Sequence, residues 1–280
     1  MLSSAGWFFI IAVLAVLGWT LGLHLGQHKN QNASRIGLIL GILFLGIWVW
    51  LLRHPSLALN IIPLGILSKI EGVAAVPFFM LIVGIARGKS NVPRQRHLTG
   101  WACVLGAIYF LHGGIWMLQT TPAKSLAQEV DPSTLVRQSQ YYSCVPAACA
   151  TVLNRLGYPT TEAEMAVLTE TRPRTGATLL RAMHGLQQSL KYTTYNVKLI
   201  EPDVDQLKTI PLPALTPLQF ESTQQHMVTI LAVNKYGIRI ADPSDGILFF
   251  DWPQFETYFR NKVIIVEQDH PATKPIQSAG

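Results

Sequence analysis

The side chains able to do chemistry lie in the second half of the chain. Of the three cysteines, Cys103, Cys144 and Cys149, Cys144 stands apart. It precedes Val145 and Pro146 where a polar stretch gives way to an apolar helical pattern, and proline suits the first turn of a helix. A thiol at that point feels the positive end of the helix dipole, which favours thiolate. Cys103 lies in a membrane-like run, and Cys149 falls inside the same helix as Cys144, where it reads as a small buried side chain. A Cys144–Cys149 disulfide is not expected, because five residues along one helix point the two side chains apart. A thiolate nucleophile needs a base and a group to orient that base. His226 opens the apolar run HMVTILAV directly after the polar ESTQQ, as a polar head at the mouth of a buried strand. Asp242 closes the next strand, sixteen residues on. If the two strands pair as a hairpin, Asp242 reaches one imidazole nitrogen and the other faces Cys144. Gln138, six residues before Cys144, offers an amide N–H to a developing oxyanion beside the Cys144 backbone N–H. His184 sits mid-helix and reads as a surface residue. Three scattered cysteines without a tight histidine cluster do not make a zinc site, and no cofactor is expected.

The elements that must hold these residues can be read from periodicity. Over 144–157, Ala148, Val152 and Leu156 recur every four residues and Gly157 stops the helix. A second helix covers 161–169, with Thr160 or Thr161 as cap and Glu164 placed for a capping box. A third covers 175–188. Residues 193–200 alternate as a strand, 203–210 form a short helix, and 211–218 hold a short strand. The runs 226–233 and 237–242 are separated by Asn-Lys-Tyr as a hairpin. A turn over 242–246, a strand over 247–251, a helix over 252–259 and a strand over 262–267 follow. Helices first and an antiparallel sheet second argue for an α+β domain.

The half in front of this domain is of another kind. The 280-residue chain is 49% hydrophobic and 14% charged, with mean hydropathy +0.29, whereas soluble chains carry about a quarter charged residues. Residues 1–120 hold eight Lys or Arg and one acid, Glu71, while residues 121–280 hold fourteen bases and fifteen acids. The net charge of +6 therefore belongs to the first half. That excludes a single soluble domain and argues against a nucleic-acid binder. Four transmembrane helices are expected within 1–118, over 5–25, 36–52, 64–86 and 100–118. The first is read as retained rather than as a signal peptide, since no basic n-region or clear cleavage site accompanies it. The third contains Pro77, Lys69 and Glu71, and a hairpin or re-entrant segment is the alternative to one tilted helix. Residues 119–129 form a connector, 130–268 the soluble domain and 269–280 a flexible tail. Loops 26–35 and 87–98 share one side and carry Lys29, Arg35, Arg87, Lys89, Arg94 and Arg96. Positive-inside counting makes that side cytoplasmic and the C-terminal domain extracytoplasmic, with a cytoplasmic domain as the alternative. His24 and His112 lie near span ends and take no assigned role. The glycines at 37, 41, 46, 100, 106, 113 and 114 are expected to let helices approach.

Two motifs carry a resemblance. The first is QSQYYSCVPAACATVL, with Gln138, Cys144 and Ala147–Ala148. The second is HMVTILAVNKYGIRIADPSDG, with His226 and Asp242–Pro243. In this order and spacing, residues 130–268 resemble the papain-like cysteine peptidases that mature bacteriocins by cutting after a double-glycine leader, together with their broader relatives. The resemblance implies a papain-like fold and a Cys144–His226–Asp242 triad with Gln138 as oxyanion donor. Two positions depart from the family: Ser143 stands where Asp is common and Val145 where Gly is common. Both bear on the backbone and substrate subsites beside the nucleophile. Leader-cutting members are fused to an ABC exporter and act on the cytoplasmic side. This chain contains no G-x-x-x-x-G-K-[ST] loop, so a transporter would be a separate partner.

The expected function is that of a membrane-anchored cysteine peptidase, hydrolysing peptide bonds of peptide or protein substrates in a bacterial inner or plasma membrane. Its partners are the substrate, the lipid bilayer and a separate transporter, with no nucleic acid. The rivals are an acyl-transferring, transglutaminase-like enzyme built on the same triad and a catalytically inactive peptide-binding or sensor module.

Overall fold

The computed structural model describes residues 4–29, 31–119, 121–127, 135–220 and 225–268. It divides into two compact units, Met1–Gln119 and Thr120–Gly280. The expected tail, 269–280, and the start of the expected peptidase domain, 130–134, lie outside the described residues.

The first unit is helical: α1 (Ser4–Gln27), α2 (Gln31–Arg53), α3 (Pro55–Ile61), α4 (Leu64–Ile70), α5 (Val76–Lys89) and α6 (Pro93–Leu118). Of these, α1, α2 and the Pro93–Ile115 part of α6 are long and apolar enough to cross a membrane, and the chain is an integral membrane protein. The single helix expected over 64–86 is instead two, α4 and α5, with a turn over 71–75 between them. Pro77 explains the break, since it lies in the first turn of α5. Its ring lacks an N–H and would clash with the carbonyl four residues back in a continuous helix. Tyr109 Oη of α6 donates to Gly72 O in this turn at 2.7 Å.

Helix α5 packs backbone to backbone against α1. A Cβ on Gly22 would lie 2.4 Å from Leu81 O, and one on Gly84 2.6 Å from Trp19 O. No side chain fits at either position. The contacts advance in step, Gly18 against Pro77, Gly22 against Leu81 and Gly26 against Ile85, so α1 and α5 run parallel. Gly37 and Gly41 of α2 meet Ile85 and Ile82, and Gly106 and Gly113 of α6 meet Phe79 and Val73, so both helices run antiparallel to α5. The Phe8 ring of α1 stacks on Phe110 of α6 at 4.5 Å. One end of the bundle therefore carries the start of α1 and the end of α6. The other carries the α1–α2 and α5–α6 turns with their basic residues. Two of the glycines expected at interfaces, Gly46 and Gly100, meet nothing within 4 Å. Gly114, one of the expected glycines, meets the Phe8 ring, where a Cβ would lie 2.1 Å from a ring carbon. The positions where backbone meets backbone are the α1 and α5 glycines, which the hydropathy reading passed over.

The second unit contains α7 (Cys144–Arg155), α8 (Glu162–Leu168), α9 (Leu179–Ser189), β1 (Tyr195–Ile200), β2 (Ala214–Leu218), β3 (His226–Val233), β4 (Gly237–Asp242), β5 (Gly246–Asp251), α10 (Trp252–Tyr258) and β6 (Val263–Gln268). The strands form one antiparallel sheet in the order β1-β6-β2-β3-β4-β5. The order of helices and sheet is the α+β architecture expected. Thr161 and Glu164 form the capping box of α8. Helix α9 starts at Leu179 behind a Thr178 cap, later than the expected 175. Residues 172–176 are instead a tight turn, in which Arg172 and Gly176 exchange backbone hydrogen bonds of 2.9 Å. Arg174 and Gly176 have φ of 71° and 69° there. The expected helix over 203–210 is reduced to a 3-10 turn at Gln206–Thr209. On one sheet face, Val228, Ile230, Ile238, Ile240, Phe255 and Val263 form a fully buried cluster. On the other, Thr229 Oγ1 of β3 donates to Ala148 O of α7 at 3.1 Å, since successive strand residues face opposite sides. Leu126, in the stretch expected as connector, packs on Ala163 and Ala166 of α8.

Candidate active site

The approach to Cys144 is a short segment pinned at nearly every residue. Val136 N donates to Thr151 Oγ1 of α7 at 3.0 Å. Arg137 Nη1 donates to Ser244 O at 2.8 Å, and Gln138 N to Pro243 O at 3.0 Å. Ser139 donates through its backbone N–H and its hydroxyl to Glu162, at 2.9 and 2.6 Å. Ser143 Oγ accepts from Gln140 N at 3.1 Å and donates to Gln140 O at 2.8 Å. The chain then enters α7 at Cys144, with Pro146 in the first turn. Ser143, where the family commonly has Asp, thus closes the turn that sets up the helix.

Glu162 is fully buried, and no sequence signal singled it out. Its carboxylate also accepts from Ala127 N at 3.0 Å, so it holds two chain segments against the start of α8. A buried charge persists only when hydrogen-bonded in this way.

His226 and Asp242 meet as the hairpin reading expected. The Thr229↔Ala241 pairing of β3 and β4 brings the head of one strand beside the end of the other. His226 Nε2 lies 2.8 Å from Asp242 Oδ1, which leaves Nδ1 as the nitrogen free of the carboxylate. Asp242 is 1% exposed. Its Oδ1 also accepts from Ser244 N at 2.8 Å, Ser244 Oγ at 2.7 Å and Asp245 N at 3.2 Å. Ser244, missed in the sequence, had a signal in Asp-Pro-Ser, since an aspartate often bonds the backbone two residues on.

Electrostatics follow this geometry. Burial would lower the His226 pKa, but hydrogen bonds from its ring to Asp242 and Cys144, and their negative charges, outweigh it and raise it to about 10. Burial would raise Asp242, but bonding to His226 and Ser244 lowers it to about 2. The imidazole is therefore held as a cation against a carboxylate, with the Cys144 sulfur coupled to the same ring. Cys149 is opposite in character. It is fully buried, with Sγ 4.0 Å from Ala182 O, and burial, followed by the Cys144 charge, pushes its thiol far up. His184 lies on α9, 3.5 Å from Gln188 Nε2, on an element separate from the His226–Asp242 pair. Among the described residues no three His, Cys, Asp or Glu side chains gather as metal ligands.

Cys144 opens onto a cleft of about 540 Å³ lined by Tyr141, Arg174, Leu179, Pro217 and Met227. The 172–176 turn forms one wall, which the sequence reading had assigned partly to helix. Gln138 is joined to the site through its backbone bond to Pro243, directly after Asp242. Its side-chain Oε1 is buried with no hydrogen-bond partner among the described residues.

Comparison with known proteins covers the same part of the chain. Residues 133–270 match the family model described as the Peptidase C39 family. An uncharacterized protein of Methanothermobacter marburgensis is 31% identical over 135 residues, covering 48% of this chain and 89% of the relative. One of Methanothermobacter thermautotrophicus is 31% identical over 144 residues, covering 51% and 92%. Among solved structures, the peptidase domain of Streptococcus ComA, a bi-functional ABC transporter involved in quorum sensing, aligns with TM-score 0.43 and 18% identity, covering 48% of this chain and 98% of that one. A double glycine motif protease from an AMS/PCAT transporter, in complex with the leader peptide, aligns with TM-score 0.42 and 17% identity, covering 50% and 93%.

Proposed function

The chain belongs to the Peptidase C39 family of cysteine-type peptidases, and from that premise we propose that it cleaves peptides through Cys144, His226, Asp242 and Gln138. The observation that carries this reading is the 2.8 Å His226–Asp242 contact, on a ring whose pKa Cys144 also raises, with Cys144 lining the cleft.

In the proposed reaction the Cys144 thiolate attacks the scissile carbonyl and the carbonyl electrons move onto oxygen. The Gln138 amide and the Cys144 backbone N–H stabilise that oxyanion. The His226 imidazolium gives its proton to the leaving amine, forming an acyl-enzyme. The neutral ring then takes a proton from water, and the hydroxide releases the acyl group and regenerates the thiolate. Asp242 fixes the ring orientation and stabilises its cationic form.

We place the peptidase unit on the side opposite the basic loops. The chain leaves the bundle at the end that also carries the start of α1, with Lys29, Arg35, Arg87, Lys89, Arg94 and Arg96 at the other end, and basic loops stay cytoplasmic. The substrate is then a peptide or protein at the outer face, and an exporter would be a separate chain.

The test is a cleavage profile on a peptide library with purified full-length protein, repeated with Cys144→Ala and Cys149→Ala. Cys144→Ala is expected to lose about 10⁴-fold or more in kcat/KM, and Cys149→Ala to keep activity. Cleavage surviving in Cys144→Ala would overturn the assignment, and amine-dependent products with little hydrolysis would redirect it to acyl transfer. Protection of the domain from external protease would overturn the orientation.

A further inference from the structure

The geometry points to a second site: a cavity at the basic end of the helical bundle that holds the phosphate headgroup of an anionic phospholipid. The cavity has a volume of about 600 Å³ and is lined by Arg87 of α5, Asn91 of the following turn, and Arg96, His97, Trp101 and Val104 of α6. The turn itself is braced. Arg87 Nη1 donates to Arg96 O at 2.5 Å and Arg96 Nε to Ser90 O at 3.0 Å. Each guanidinium uses one N–H in these bonds and carries five, in a fork that matches phosphate oxygens.

Charge balance calls for an outside anion. No Asp or Glu occurs between Glu71 and Glu129. Glu71 lies in the turn before α5, at the opposite end of a 14-residue helix, about 21 Å away. The helical unit therefore has no carboxylate of its own to neutralise Arg87, Lys89, Arg94 and Arg96. The lining then distinguishes a lipid from a free phosphate. Trp101 is 66% and Val104 46% exposed, and they continue from the cavity along the apolar flank of α6. Tryptophan favours the membrane–water interface, so a headgroup among the arginines lays its acyl chain along Trp101 and Val104. Basic pockets between membrane helices take anionic headgroups in this manner. The inference is independent of which side of the membrane this end occupies.

The full-length protein in detergent, titrated separately with phosphatidylglycerol, phosphatidylcholine and inorganic phosphate, tests it by native mass spectrometry and melting temperature. Phosphatidylglycerol is expected to bind about tenfold tighter than phosphatidylcholine, one charge-assisted contact's worth, with no response to inorganic phosphate at equal concentration. Arg87→Gln with Arg96→Gln should weaken phosphatidylglycerol binding by about tenfold or more. Lys29→Gln with Arg35→Gln removes the same charge outside the cavity and should leave binding intact. Asn91→Ala with His97→Gln leaves the arginine brace untouched and should cost about threefold. Equal binding of the two lipids by the wild type would overturn the site. So would equal losses in the Arg87/Arg96 and Lys29/Arg35 pairs, which would mean diffuse adsorption. A response to inorganic phosphate as large as that to phosphatidylglycerol would overturn the lipid assignment.

Discussion

In the helical bundle α1 and α5 meet backbone on backbone, with Gly22 against Leu81 and Gly84 against Trp19, and the Lys and Arg residues lie toward the helix ends and turns. In the peptidase unit the distinctive feature is charge inside: Glu162 is fully buried and Asp242 is 1% exposed, each with its hydrogen bonds satisfied. The difference follows from the solvent. Between helices in lipid there is no gain from burying apolar surface, so close van der Waals approach does the packing and small residues permit it. A water-exposed domain gains stability from an apolar core such as Val228, Ile230, Ile238 and Phe255. That core can carry a few buried charges, and buried charges can orient a reacting ring.

This contrast can be broken at several points. The largest effect is expected at the peptidase unit's buried acid. Asp242→Ala should lower kcat about 10³-fold, by freeing the His226 ring, with little loss of fold by circular dichroism. Gln138→Ala should lower kcat about 10²-fold with KM nearly unchanged. Steady-state kinetics on both variants would break the reading if either kept wild-type kcat.

Acid and base should bracket the site as well. His226 is raised from an ordinary 6.5 to about 10, so its stabilising contribution is complete below pH 6.5 and fades as pH rises through 10. Asp242 is lowered from an ordinary 3.8 to about 2, so its contribution is complete above pH 3.8 and fades as pH falls through 2. The pair is whole between those ordinary values. The alkaline limb of kcat/KM should therefore lie well above neutrality, and Asp242→Ala should move it to lower pH. An unmoved limb would show that Asp242 does not hold the ring's charge.

Smaller effects belong to the bundle. Gly22→Ala should destabilise the helical unit by about 1–3 kcal/mol, because the new methyl meets a backbone carbonyl that cannot yield. Peptide cleavage measured below the transition should stay unchanged. Gly46→Ala, which meets open space, should be neutral or stabilising by up to about 1 kcal/mol through helix propensity. Thermal unfolding in detergent separates the two. Equal destabilisation would mean that backbone proximity is not what holds the bundle.

Much of the candidate site was legible from one dimension. Cys144 at a loop-to-helix junction, His226 at the head of an apolar strand and Asp242 at the end of the next strand are local signals. A hairpin needs only two short strands and a turn to bring His226 and Asp242 together. What was not legible came from distant segments meeting. Glu162 looks like an ordinary first-turn acid of a helix. Only the fold brings Ala127 and Ser139 to it. The 172–176 turn looked like the start of a helix, because φ of 71° at Arg174 is not written in that residue's type.

The bundle divides in the same way. Hydropathy alone determined a membrane region, its charge asymmetry and the glycine-rich character of its helices, since these depend on composition along the chain. Pro77 marked a break by local sterics, yet whether the segment spanned as one helix stayed open until α4 and α5 were seen as separate. Tertiary structure alone decided which glycines matter. A glycine is a requirement only where another backbone arrives, as Leu81 O arrives at Gly22, and nothing arrives at Gly46. Sequence fixes what each residue can tolerate, and packing decides which of those tolerances is used.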